Sequence, residues 1–91
     1  MITDQNREVF RLQLLQTASY SAPMGVSISL FRTYAKTAGF PKVTEDQVAA
    51  EVQYLADKGL LVSVDKRISP ENTAWRITAD GRDFLAQQNL D

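Results

Sequence analysis

The stretch from Thr44 to Gln87 constrains this chain more than any other. It reads T-E-D-Q-V-A-A-E-V-Q-Y-L-A-D-K-G-L-L-V-S-V, then a polar loop, then A-W-R-I-T-A-D-G-R-D-F-L-A-Q. Thr44 and Gln47 have the S/T-x-x-E/Q spacing of a capping box, in which each side chain bonds the other residue's free amide. Val48, Val52 and Leu55 follow as an apolar stripe at helical spacing. Lys58-Gly59 ends the helix, a cation near the negative end of the dipole and then a residue that tolerates positive φ. From Leu60 to Asp65 the chain reads as a strand, with Leu60, Val62 and Val64 alternating against Leu61 and Ser63. Lys66 to Thr73 is a polar loop containing Pro70 and Asn72. Ala74 to Ile77 is the return strand and carries Trp75. Thr78 can cap a last helix from about Ala79 to Gln88 that buries Phe84 and Leu85. A hairpin alone is marginal in water, so this one must lie against helices.

The first half supplies them. A first helix is expected from about Asp4 to Ala18, with Thr3 or Asp4 as its N-cap. Its apolar residues Val9, Phe10, Leu12, Leu14, Leu15 and Ala18 spread over more than the stripe roughly 100° wide that a surface helix needs. Either the helix is buried on two sides within the domain, or Val9, Phe10, Leu12, Leu14 and Leu15 also pack across a two-fold axis in a homodimer. Ser19 to Gly25 is a loop by its Ser, Pro and Gly content. A second helix fits Ser27 to Ala38, capped by Ser27 and stopped by Gly39. Phe40-Pro41-Lys42-Val43 is the connecting turn, since Pro41 forbids a continuous helix.

Composition excludes several classes of function. Ninety-one residues make one small domain, 1–91. There is no cysteine and no histidine, so no disulfide framework, no thiolate metal site and no imidazole base or ligand. There is also no Ser/His/Asp set and no Gly-rich phosphate loop. An enzyme is not expected, nor a metal or other cofactor. No apolar run approaches the ~20 residues needed to span a bilayer. The first residues lack a basic segment followed by an apolar one, so no signal peptide is visible and a cytoplasmic protein is expected. The net charge of -1 hides an asymmetry. Met1 to Val43 carries five basic residues against two acidic, and Thr44 to Asp91 five basic against nine acidic. Phosphate neutralisation supplies most nucleic-acid affinity, so any basic footprint must be local.

The segments L-A-D-K-G-L-L-V-S (Leu55 to Ser63) and W-R-I-T-A-D-G-R-D-F-L (Trp75 to Leu85) resemble parts of bacterial winged helix-turn-helix regulators. The first is similar to the end of the recognition helix and the first wing strand, the second to the other wing strand and the helix after it. The MarR, ArsR and PadR-like groups share them. The resemblance implies a mainly α domain with a β-hairpin wing, in the order α-α-α-β-β-α. It covers most of the chain in element order but is specific only in those two architectural segments. The small size is similar to that of short regulators of phages and prophages.

The resemblance implies a function too: a DNA-binding transcriptional regulator whose third helix, Thr44 to Lys58, enters double-stranded DNA. The outward face of that helix should show Asp46, Gln47, Ala50, Gln53, Tyr54 and Asp57. Gln47 and Gln53 suit bidentate contacts to adenine, and Ala50 a thymine methyl. Arg32 and Lys36 on the second helix, Lys42 in the turn, and Lys66 and Arg67 in the wing loop are the available phosphate contacts. Against this stand Glu45, Asp46, Glu51 and Asp57, four carboxylates beside Lys58, which cost Coulomb energy near phosphates. Carboxylates in a first turn also favour the helix dipole, and folding alone can explain them. The competing reading is a protein-interaction module that reuses the scaffold, with Tyr54 as a contact residue. Trp75 either covers the core or faces a partner.

Overall fold

A capped helix, a glycine stop and a hairpin are what the computed structural model shows, and it describes residues 4–65 and 73–88. The elements are α1 (Asp4–Ser21), α2 (Ile28–Thr37), α3 (Glu45–Asp57), β1 (Leu61–Asp65), β2 (Ala74–Ile77) and α4 (Ala79–Gln87). Three helix starts are fixed by side-chain caps. The Ser27 hydroxyl accepts the Leu30 amide at 3.2 Å. Both bonds of the Thr44–Gln47 capping box are made, at 3.0 and 3.1 Å. The Thr78 hydroxyl accepts the Gly81 amide at 3.0 Å and donates to the Gly59 carbonyl at 2.6 Å. One threonine therefore joins the stop of α3 to the start of α4. At that stop Gly59 has φ +80°, a backbone conformation that a Cβ disfavours.

Helix α1 runs three residues past the expected end at Ala18, to Ser21. Ser19, Tyr20 and Ser21 tolerate helix, and the ring of Pro23 is the first feature that cannot continue one. The helix packs on α2, α3, α4 and β2, so it is the hub of the domain. Phe10, Leu14, Leu15 and Ala18 are fully buried in the domain's own core. Phe10 meets Phe40 edge-on, ring centroids 4.9 Å apart. Val26, Phe31, Ala35, Val43, Val48, Val52, Leu55, Leu61, Ile77 and Leu85 complete the same cluster.

Strands β1 and β2 pair antiparallel, with Leu61 opposite Ile77, Val62 opposite Arg76 and Ser63 opposite Trp75, then a bulge before Asp65 and Ala74. The alternation in β1 is present, but Leu61 is the residue that enters the core, while Val62 and Val64 stay exposed. On its other edge β2 holds Val26: the two amides and two carbonyls of Val26 and Trp75 exchange bonds of 2.8 and 2.9 Å. Trp75 is half-buried against the core. Among the described residues no helix is long and apolar enough to cross a membrane.

Candidate nucleic-acid interface

The buried stripe of Val48, Val52 and Leu55 turns the opposite face of α3 outward. Glu45, Asp46, Ala49, Ala50, Gln53 and Asp57 are exposed there, and Gln47 is half-buried. Ala49 was missing from the sequence-derived face. With Ala50 it makes a low strip where another backbone or a base edge can approach closely. The two glutamines are partly engaged. The Gln47 Oε1 accepts the Thr44 amide at 3.0 Å, so the oxygen that a bidentate adenine contact needs is held by the cap. The Gln53 Nε2 donates to Asp57 Oδ1 at 3.0 Å, across a fully exposed pair that solvent or a ligand can replace.

Glu51 does not belong to the outward face. Its carboxylate turns to α1, accepting from Arg11 Nε at 2.6 Å and lying 3.6 Å from Arg7 Nε. Its side chain is only 14% exposed. Three of the four expected carboxylates therefore confront solvent, and one of those, Glu45, accepts from the Ser29 hydroxyl at 3.2 Å. The Arg11 guanidinium also lies 3.7 Å over the Tyr54 ring, covering one face of that half-exposed tyrosine. Burial alone would lower the Arg11 pKa, but the hydrogen bond to Glu51 and the neighbouring Glu51, Tyr54 and Glu8 outweigh it and raise it. Arg11 is thus a fixed cation that ties α1 to α3.

The expected phosphate contacts divide into three kinds. Arg32 is half-buried, and its Nε donates to the Val43 carbonyl at 3.0 Å, pinning the turn before α3. Lys36 and Lys42 are exposed at the end of α2 and in that turn. Lys66 and Arg67 lie outside the described residues. The residues expected at a two-fold interface divide as well: Phe10, Leu14 and Leu15 are interior, Leu12 is half-buried, and only Val9 is exposed, at 56%. The apolar excess of α1 is spent on four neighbouring elements of the same chain, so of the five residues expected at a two-fold interface Val9 and Leu12 are the ones left accessible.

Sequence reasoning missed the Arg7–Glu51–Arg11 tie, although it was within reach. Glu51 lies three residues after Val48 and four before Leu55, at the edge of the buried stripe, and Arg7 and Arg11 share a face of α1 at i, i+4. Nothing in the periodicity announces the single bridge at Val26. Among the described residues, no group of three acidic side chains is placed to hold a metal.

The arrangement as a whole is similar to the crystal structure of a PadR-like transcriptional regulator from Bacillus cereus. The TM-score is 0.75 over 96% of this chain and 84% of that one, at 17% sequence identity. No protein-family model and no curated protein matches the sequence. At this identity the likeness is one of fold: four helices, with a two-stranded antiparallel hairpin set between the third and fourth, make a winged helix.

Proposed function

We propose that the chain is a small DNA-binding transcriptional regulator of the cytoplasm, with α3 in the major groove and the hairpin loop against the backbone. One observation carries this reading: α3 is seated on α2 and leaves Ala49, Ala50 and Gln53 uncovered, in a fold shared with a PadR-like regulator. The two alanines suit thymine methyl groups, and Gln53 suits a base edge once it leaves Asp57. Affinity then rests on Arg32, Lys36, Lys42, Lys66 and Arg67, because the exposed face of α3 has no cation to offer phosphates. Sequestering Glu51 behind Arg7 and Arg11 removes one carboxylate that would repel DNA.

Salt dependence tests the reading. If about four cations neutralise phosphates, log affinity falls with log salt at a slope of roughly -3 to -4. Replacing Lys66 and Arg67 together by alanine is expected to weaken binding to all sequences about equally and to flatten that slope by about 2. An electrophoretic shift series with both proteins measures it. A parent protein that shifts no DNA at tens of micromolar and low salt removes the regulator reading. The exposed Glu45, Asp46 and Asp57 of α3 would then favour a protein-interaction module, since that face suits a basic partner better than a phosphate backbone. A homodimer belongs to the same proposal, with Val9 and the accessible edge of Leu12 as its α1 contact. Sedimentation equilibrium at high micromolar concentration that shows monomer alone removes it.

A further inference from the structure

A second site lies away from the exposed strip of α3. Helices α1, α3 and α4 leave a cleft of about 380 Å³ between them. Leu12, Leu55, Leu60 and Phe84 make its apolar part, and Glu8, Arg11, Tyr54, Lys58 and Gln88 its polar part. Its volume is near the lower end of the ~300–1,000 Å³ usual for small-molecule pockets, which suits a small ligand.

The charges at the rim are not equivalent. Arg11 is paired with Glu51 at 2.6 Å and with Glu8 at 3.5 Å. Lys58 takes part in none of the ion pairs among the described residues. Its Nζ lies 5.6 Å from the Tyr54 ring centroid, and its position as C-cap of α3 leaves the ammonium at the edge of an apolar wall. An ammonium beside an apolar cleft, with the neighbouring charges already matched, complements a molecule with one negative end and a compact apolar body. A cation would meet Lys58 and Arg11. A neutral apolar molecule would leave Lys58 no better satisfied than water does.

We propose that this cleft binds a small amphipathic organic anion, with its carboxylate at Lys58 and its apolar body over Leu12, Leu60 and Phe84. The site joins α3 to α1 and α4, so an occupant contacts the helix proposed to meet DNA from its far end. The proposal needs no DNA-binding activity, and the two readings fail separately.

Octanoate is the probe, with octanol and octylammonium as its neutral and cationic counterparts. Each is titrated into the full chain and followed by amide chemical shifts in two-dimensional NMR. Octanoate is expected to saturate at low millimolar concentration or below and to shift the amides of Leu55, Lys58, Leu60 and Phe84 together. Octanol and octylammonium are expected to bind at least several-fold more weakly. Lys58→Met keeps the apolar stem and should weaken octanoate about fivefold, the size of one partly exposed ion pair. Arg82→Met, on the exposed side of α4, should leave it unchanged. Shifts scattered over the surface, octanol binding as well as octanoate, an unaffected Lys58→Met variant, or a cleft closed by a second copy and therefore silent would each overturn the proposal.

Discussion

Phe10→Ala is expected to lower the unfolding free energy by about 3–5 kcal/mol, the usual cost of removing a buried aromatic ring. The ring has no exposed surface. It packs edge-on against Phe40 with an interplanar angle of 64°, and it sits on the helix that touches most of the other elements. Small domains are stabilised by roughly 5–15 kcal/mol in all, so the variant should be partly unfolded near 37 °C. Urea denaturation followed by circular dichroism measures the loss. Val9→Ala, one residue away on the exposed side, supplies the contrast and should stay within about 0.5 kcal/mol of the parent. If the two variants lose stability equally, α1 does not face the core as described. If Phe10→Ala costs less than about 1 kcal/mol at a concentration where the protein is monomeric, the ring is not interior.

Gly81→Ala is expected to destabilise by about 2 kcal/mol, although residue propensity alone predicts the reverse. Alanine is about 1 kcal/mol better than glycine inside a helix, and Gly81 is in the first turn of α4. A Cβ there would, however, collide with the Leu60 carbonyl oxygen and come within 2.6 Å of Ile77 Cγ1. Backbone on one side and a core side chain on the other leave it no room. Overpacking of this kind costs about 1–3 kcal/mol, occasionally more, and here it must exceed the propensity gain. In a chain of this size such a loss lowers Tm by roughly 10 °C. A calorimetric scan decides the sign, and a Tm that rises would mean that α4 stands farther from the hairpin than the structure places it.

The parts of the fold that were legible in the sequence are those that local chemistry settles. The capping box of Thr44 and Gln47, the start of α4 at Thr78 and the strand from Ala74 to Ile77 depend on residues within a few positions of one another. What spacing cannot supply is phase and partner. Leu60, Leu61 and Val62 are three consecutive apolar residues, so the period of two in β1 is visible while its inward side is not. Leu61 is chosen by its place opposite Ile77 after the turn at Gly59. Phe10, Leu14 and Leu15 look equally suited to a core or a partner until α2, α4 and β2 close around them. The outward side of α3 follows from the buried stripe of Val48, Val52 and Leu55, but the engagement of its polar side chains does not. Glu51 belongs to a tie with α1 whose two halves are visible in the sequence but whose pairing across forty residues is not, and the oxygen of Gln47 serves the cap before it can serve a base.

The central position of α1 also bears on how the chain is made. This helix leaves the ribosome before every element it packs against, and β2 and α4 follow some fifty residues later, from Ala74 onward. Until they arrive, the nascent chain carries an amphipathic helix with Phe10, Leu14 and Leu15 incompletely covered. Early contact with α2 and α3 can shelter part of that surface, but the last side closes only once β2 and α4 have emerged. Chains that stall or are cut before Ala74 would present this apolar face to chaperones and proteases, so truncated forms should be cleared instead of accumulating as half-folded competitors.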